Sequence, residues 1–191
     1  DPHKVALLLF QTGGGCRASN YISLLRKALA RAGYDYVPVI SFSLAGLEHH
    51  PGFSLGVSEY HGMAYAVLYG DLLLTLVNQT KPYELHPGDA EALAERWTAR
   101  LGGELGAGRR IRYRDVQATY RQIVADFAAI PKRETETVKV GIVGEIFVKY
   151  SPLGNNNLEQ FLVDEGAEVV TPGLLDFCLY CVYNQMMDCK L

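Results

Sequence analysis

The sequence of 191 residues lacks several features that would assign a function at once. It has no apolar run of the roughly 18–20 residues that a membrane-spanning helix needs, because the longest candidate, residues 63–77, is interrupted by Gly70 and Asp71. It has no long basic run and a net charge of −3, which makes nucleic acid an unsuitable partner. We therefore expect neither a membrane nor a nucleic acid as its partner.

Cysteine is scarce, and its positions are informative. Of the four cysteines, Cys16 stands alone, whereas Cys178, Cys181 and Cys189 lie near the end of the sequence. Cys178 and Cys181 are one helical turn apart, which in an intracellular chain is typical of reduced thiols, metal ligands or core residues rather than of structural disulfides. A structural zinc ion would need four nitrogen or sulfur ligands, and no clear second pair is present. We expect a cytoplasmic protein.

Hydrophobic residues make up 49% of the sequence, enough for a packed core, and their spacing predicts an α/β fold. Residues 4–10 form a continuous apolar run that is typical of a parallel strand buried on both faces. A glycine-rich loop follows, then a helix over residues 21–32 that Ser19 or Asn20 can cap, then a strand over residues 37–42. This order predicts a parallel β–α–β unit.

The rest of the sequence predicts a helical segment and a second α/β unit. The helical segment has three helices, at residues 57–78, 89–105 and 114–129. The second unit has buried-type strands at 138–143 and 167–170, a loop at 144–157, and helices at 158–165 and 174–187. The predicted class is α/β, with two Rossmann- or flavodoxin-like parallel β–α–β units joined by a helical segment. The boundaries are 1–56, 57–131 and 132–191, and we expect the whole chain to be a fragment of a larger protein.

The first loop between a strand and a helix carries the strongest chemical signal. Its glycines, including Gly14 and Gly15, allow the backbone to approach a bulky ligand closely. Cys16 stands near a helix N-terminus beside Arg17, and both neighbours favour the thiolate that binds metals. The alternative is a tight turn with a buried, inert cysteine.

The second loop between a strand and a helix contains Glu145 and three consecutive asparagines, residues 155–157. In a functional interpretation Glu145 and the asparagines, Asn156 among them, line the rim of a cleft at the carboxyl edge of the sheet. In the simpler interpretation Glu145 is solvated and the asparagines cap a helix, and for the asparagines we favour this capping role.

Several motifs in order resemble one family over nearly the whole chain. The chain resembles the 2-hydroxyacyl-CoA dehydratase superfamily, and more closely the carboxyl-terminal part of the large activase-related proteins of anaerobic bacteria. The motifs are TGGGCRASNYI at 12–22, PVIS at 38–41, LEHHPGF at 47–53, YGD at 69–71, KPY at 81–83, VGIVGEI at 140–146, NNNL at 155–158 and LDFCLYCVYN at 175–184.

The resemblance implies an iron–sulfur cluster held by a few cysteines between α/β lobes. It implies Cys16 and Cys181 as ligands, and a third ligand upstream that this chain lacks, so that no intact cluster is expected here. Gly14, Gly15, Arg17, Glu145 and Asn156 are the other expected cofactor-binding residues.

The remaining thiols and aromatic residues near the end of the sequence have simpler expected roles. Cys178 is assigned to packing and Cys189 to the tail. Tyr180 and Tyr183 are expected in the core or in the wall of a cleft.

Three functions follow from these patterns. The first is an iron–sulfur redox module, part of a lyase-type or reductase system, which takes part in low-potential electron transfer driven by an ATP-hydrolysing activase, with an acyl-CoA as the substrate class. The second is a module that binds an anion, CoA or a nucleotide without a cluster, since helix N-termini favour anions. The third is a docking domain for the activase.

Overall fold

The computed structural model describes residues 4–10, 17–42, 55–108 and 111–188. The chain divides into two units, Asp1–Ser54 and Leu55–Leu191. The described part of each unit combines helices with a parallel two-stranded sheet. The predicted mixed α/β class is therefore confirmed.

In the first unit, two short strands pair in parallel, and one helix connects them along the chain. Strand β1 (Leu7–Phe10) lies beside β2 (Val39–Phe42), with Leu7 opposite Val39. Between them run a 3₁₀ turn (Arg17–Asn20) and helix α1 (Tyr21–Arg31). Helix α1 packs on both strands, so the predicted strand–helix–strand order is present.

One face of the first sheet is open among the described residues. Leu8 and Phe10 are 50% and 57% exposed, although Ile22 of α1 and Val39 of β2 are buried. Side chains two apart on a strand share a face, so the exposed pair lies on one side of β1. The prediction that residues 4–10 are buried on both faces is wrong, because α1 covers a single face of the strands.

The second unit is built around three helices that bury their apolar stripes against one another. They are α2 (Val57–Thr80), α3 (Asp89–Gly106) and α4 (Tyr113–Ala128). The core cluster consists of Tyr69, Leu73, Ala90, Leu93, Trp97, Leu101, Val116, Ile123 and Phe127. All three helices lie within two residues of the predicted bounds.

Polar groups at the margin of this core find partners. The indole nitrogen Nε1 of Trp97 donates to Oδ2 of Asp126 at 3.1 Å. The hydroxyl of Tyr120 donates to the carbonyl oxygen of Leu68 at 2.7 Å. Each bond offsets the loss of hydration of an aromatic side chain, Trp97 being buried and Tyr120 half-buried, and joins two helices of the core.

The second sheet pairs β3 (Lys139–Gly141) with β4 (Glu168–Val170) in parallel. Three short helices connect the strands, and helix α8 (Leu174–Asp188) follows β4. The connecting helices are α5 (Ile146–Tyr150), α6 (Pro152–Asn155) and α7 (Leu158–Asp164). The prediction of a loop over residues 144–157 is therefore wrong. Local side-chain caps stabilise two helices there that are too short to show an apolar period.

The strand predicted at residues 138–143 is also more exposed than expected. Val138 and Val143 are 73% and 78% exposed, whereas Val169 of β4 is 1% exposed. Helix α2 packs on β4, so that strand is the buried one. The buried-type assignment is therefore wrong for most of residues 138–143, because the helical cover lies over β4, although Ile142 is buried.

A buried carboxylate joins the turn after α2 to the second sheet. The hydroxyl of Tyr83 donates to Oε2 of Glu168 at 2.6 Å, and Lys139 lies 3.0 Å from Oε1. Burial by itself would raise the pKa of Glu168, but the hydrogen bonds from Tyr83 and Lys139 and the lysine charge outweigh it and lower the pKa. Glu168 is therefore charged at neutral pH and accepts from both partners.

Replacing Phe127 by alanine tests the helical core. Its side chain is 1% exposed, so Phe127→Ala should lower the free energy of unfolding by about 3–5 kcal/mol. Tyr113→Ala, at a residue of the same helix that is 67% exposed, is the control and should change it by less than about 1 kcal/mol. Urea unfolding followed by circular dichroism measures both, and equal losses would contradict the assignment of the core.

The Glu168 contacts predict how stability depends on pH. A carboxyl group whose pKa is lowered on folding stabilises the folded state above its unfolded pKa, about 4.3, and this stabilisation is lost as the pH falls through the folded value. Glu168→Gln should therefore lower stability at pH 7 by about 1.5 kcal/mol and flatten its acid dependence. Glu165→Gln, at an exposed residue, is the matched control. The measurement is the urea midpoint at pH values from about 3 to about 7, the range in which carboxyl groups titrate. If the midpoints of the two variants depend on pH in the same way, this role of Glu168 is refuted.

Candidate functional site

The predicted residues of the first loop fall mainly outside the described ranges. Gly14, Gly15 and Cys16 lie there, as does Cys189 at the other end of the sequence. Arg17 is described: it opens the 3₁₀ turn, and its side chain is exposed. The assignments of the glycines and of Cys16 therefore stay predictions.

The start of α1 is stabilised differently from the prediction. Asn20 occupies the N-cap position, but its side chain makes no capping hydrogen bond. Instead, the hydroxyl of Ser23 donates to the carbonyl oxygen of Asn20 at 2.9 Å. Ala18 and Ile22 are buried, so apolar contact fastens the turn and the first helical residues.

Glu145 is the N-cap of α5. Its Oε2 accepts from the backbone nitrogens of Phe147 at 3.0 Å and of Val148 at 3.2 Å. A carboxylate at this position satisfies amides that have no partner within the helix. The expectation of a merely solvated Glu145 is wrong, because its carboxylate serves the local backbone.

One member of the asparagine run, Asn155, caps α7, in part as favoured from the sequence, whereas Asn157 at the N-cap position makes no side-chain capping bond. Asn155 Oδ1 accepts from the backbone nitrogen of Leu158 at 3.2 Å, and its Nδ2 donates to the carbonyl oxygen of Val148 at 2.9 Å. Asn156 and Asn157 both have φ of +57°, the left-handed conformation that asparagine tolerates better than most residues. The run turns the chain from α6 into α7.

Asp71 makes a bidentate contact with the backbone of another helix in the second unit. Its Oδ1 accepts from the backbone nitrogen of Leu174, and its Oδ2 accepts from that of Leu175, both at 2.8 Å. Asp71 lies in the middle of α2, so one carboxylate of the helical core satisfies two consecutive amides at the start of α8. Such bonds combine a charged acceptor with the positive end of a helix dipole.

Two further side chains hold the same segment, residues 171–176, which we call the α8 N-terminal turn. Asp176 Oδ2 accepts from the backbone nitrogen of Gly173 at 3.2 Å, and the hydroxyl of Tyr150 donates to the carbonyl oxygen of Pro172 at 2.5 Å. Burial, with the charges of Asp71 and Asp176, raises the pKa of Tyr150 to about 12. The phenol therefore stays protonated and remains a donor at neutral pH.

Gly173 makes the approach of Asp71 possible. A Cβ atom built on Gly173 would lie 2.6 Å from Oδ2 of Asp71 and 2.8 Å from its Cγ, closer than real contacts of this kind. The glycine is therefore required by space, since its Cβ would enter the volume that the carboxylate occupies.

Helix α8 itself is largely exposed. Cys178 is exposed, and Tyr180 and Tyr183 are each 61% exposed. The assignment of Cys178 to packing is wrong, because its side chain is exposed. The exposure of the two tyrosines excludes the core, and their place in a cleft wall stays a prediction. Cys181 lies within α8, and its side chain is outside the described part of the structure.

Sequence reasoning missed the role of Asp71, although a signal was present. Asp71 is the only charged residue between positions 60 and 80, in a helix whose other residues are largely apolar. A carboxylate there needs hydrogen-bond donors. The partners could not be named in advance, because they are backbone amides far along the sequence.

Within the described ranges, no three metal-binding side chains gather at one point. None of the helices described combines the length and apolar character required to cross a membrane. Comparison of the chain with models of protein families, with curated proteins and with solved structures finds no match. The family resemblance therefore stays a prediction that rests on the motifs.

Substituting Gly173 tests the contact between Asp71 and the α8 N-terminal turn. Gly173→Ala should destabilise the second unit by about 1–3 kcal/mol, the range for overpacking, because Cβ and carboxylate compete for one space. Gly70→Ala is the control: it lies beside Asp71 in α2, a Cβ there meets no atom within 4 Å, and removing a helical glycine should stabilise by about 0.5–1 kcal/mol. Opposite signs in thermal unfolding are expected, and a neutral Gly173→Ala would contradict the close contact.

Proposed function

We propose that the chain is the iron–sulfur redox module of a 2-hydroxyacyl-CoA dehydratase-like or activase-related protein. It takes part in ATP-coupled, low-potential electron transfer, with an ATP-hydrolysing activase as partner and an acyl-CoA as substrate class. Cys16 and Cys181 are the cluster ligands of this chain. The parallel strand pairs belong to Rossmann- or flavodoxin-like units, and the protein works in the cytoplasm.

The observation that carries the proposal is the seating of the helix that contains Cys181. Helix α8 begins just after β4, at the carboxyl end of a parallel strand pair, which is where ligands bind in α/β sheets. Its first turn is held by Asp71, Tyr150 and Asp176. A helix fixed in this way suits a residue that must stay in place, such as a metal ligand.

The donor atoms fit an iron–sulfur cluster in kind. Thiolates are its usual protein ligands, and a bound cluster accepts and releases single electrons. Two thiols are fewer than the four that such a cluster usually takes, and no further group of metal-binding side chains lies within the described ranges. The proposal therefore assigns this chain only part of the ligand set.

Anion binding by helix N-termini has less support in the second unit. The first amides of α5, α7 and α8 already have side-chain acceptors, which are Glu145, Asn155 and Asp71 respectively. Two of these acceptors are carboxylates, which repel a phosphate. Binding of CoA or a nucleotide that survives Cys16→Ala but is lost in Arg17→Ala would favour that alternative.

Serine substitution of the cysteines tests the proposal in the longest natural chain that contains these residues. After anaerobic reconstitution, Cys16→Ser and Cys181→Ser should each lose bound iron and sulfide, because the hydroxyl is a poor cluster ligand. Cys178→Ser is the matched control, an exposed thiol one turn from Cys181, and should keep both. Iron and sulfide analysis with absorption spectroscopy measures the outcome.

The control separates the proposal from a general effect of the substitutions. Iron content that stays unchanged in Cys16→Ser and Cys181→Ser removes both ligand assignments. Equal loss in all three variants shows adventitious iron on thiols and also contradicts the proposal. Stability should change by less than about 1 kcal/mol in each variant, so unfolding does not explain a loss.

A further inference from the structure

We infer that Asp71 is a positioning residue for Cys181, because it fixes the first turn of the helix on which that cysteine lies. The inference rests on the proposed function, in which Cys181 is a ligand. Its physical basis, however, lies in the contacts of Asp71 with the α8 N-terminal turn.

The two oxygens of Asp71 restrain α8 more strongly than one acceptor would. They accept from the consecutive amides of Leu174 and Leu175 at equal distances of 2.8 Å. The N–H bonds of a helix point nearly along its axis, but the nitrogen atoms of successive residues lie at different positions around it, about 100° apart. A carboxylate that engages both therefore defines the rotation of the helix as well as the position of its first turn.

Several later side chains of α8 are exposed among those that the structure describes. Leu179, Tyr180, Val182 and Tyr183 are each more than half exposed. Helix α2 is the element on which α8 makes its main contacts among the described residues. The N-terminal turn, in contrast, is held by polar contacts from two other helices, through Asp71 of α2 and Tyr150 of α5.

Small motions at the first turn become large at Cys181. With a rise of 1.5 Å per residue, Cys181 lies about 9 Å along the axis from Leu175. A tilt of about 20° around the first turn would displace position 181 by roughly 3 Å. Metal–ligand distances hold within about 0.2 Å, so a ligand on α8 requires a first turn that does not tilt.

An aspartate is needed at position 71 rather than its amide. Asparagine would present one oxygen and one NH₂ group, and the NH₂ group would face a backbone N–H that needs an acceptor. Asp71→Asn thus keeps the size of the side chain and removes one of the two bonds. It also removes the negative charge beside the α8 N-terminus.

The test compares Asp71→Asn with Glu95→Gln, which removes one charge at an exposed site on α3. Hydrogen exchange at the amides of Leu174 and Leu175 should become about tenfold faster in Asp71→Asn, the factor for one charge-assisted bond, and stay unchanged in Glu95→Gln. In the longest natural chain, Asp71→Asn should also retain less iron, and the reduction potential of the cluster that remains should shift.

Gly173→Ala is a second variant, which displaces the turn but keeps the carboxylate. It should reproduce the faster exchange and the iron loss, and it replaces Asp71→Asn if that variant does not fold.

Each outcome decides one part of the inference. If the amides of Leu174 and Leu175 exchange at the unsubstituted rate in Asp71→Asn and in Gly173→Ala, the role of Asp71 is overturned. Faster exchange with normal iron content and potential, while Cys181→Ser loses its iron, overturns only the positioning role and leaves the proposed function standing. Absence of iron from the longest natural chain without any substitution overturns both.

Discussion

Asp71 lies on the same helix as the apolar residues that form the core of the second unit. Burial of Tyr69 and Leu73 against α3 and α4 sets the rotation of α2 and so directs the intervening carboxylate toward the amides of Leu174 and Leu175. Core packing and polar contact thus depend on one another. One side of α2 carries the core residues Tyr69 and Leu73, and another side carries Asp71. Because Asp71 binds the first turn of α8, the packing of α2 also determines the position of α8.

The short helices of the second unit show a second common constraint. The first amides of a helix lack partners within it, and here Glu145, Asn155 and Asp71 supply acceptors for α5, α7 and α8. Two of these acceptors are local, and one comes from a distant helix. These three polar residues, which could be taken for ligand-binding groups, therefore stabilise helix N-termini. The chemistry proposed for this chain depends on its thiols instead.

Local sequence patterns predicted the order of the longer elements well but missed the short helices α5 and α6. The three helices of the second unit follow strong apolar periods, and both parallel strand pairs were expected from strand–helix–strand order. Burial was predicted less well: Leu8 and Val138 are apolar but exposed, because cover depends on which distant element packs on each face. The candidate site was predictable only in part, since the asparagine caps are local, whereas the Asp71 contact joins residues about a hundred positions apart.

The close approach of Gly173 to Asp71 also limits how this sequence can vary. A side chain at position 173 competes for the space of the carboxylate, so the effect of a change there depends on the residue at position 71. Sites that share a space in this way are coupled, and their effects on stability do not add. A smaller residue at position 71 would make room for a side chain at position 173. It would also leave the amides of Leu174 and Leu175 without their acceptor. Substitution of both positions therefore requires a new N-terminal cap for α8.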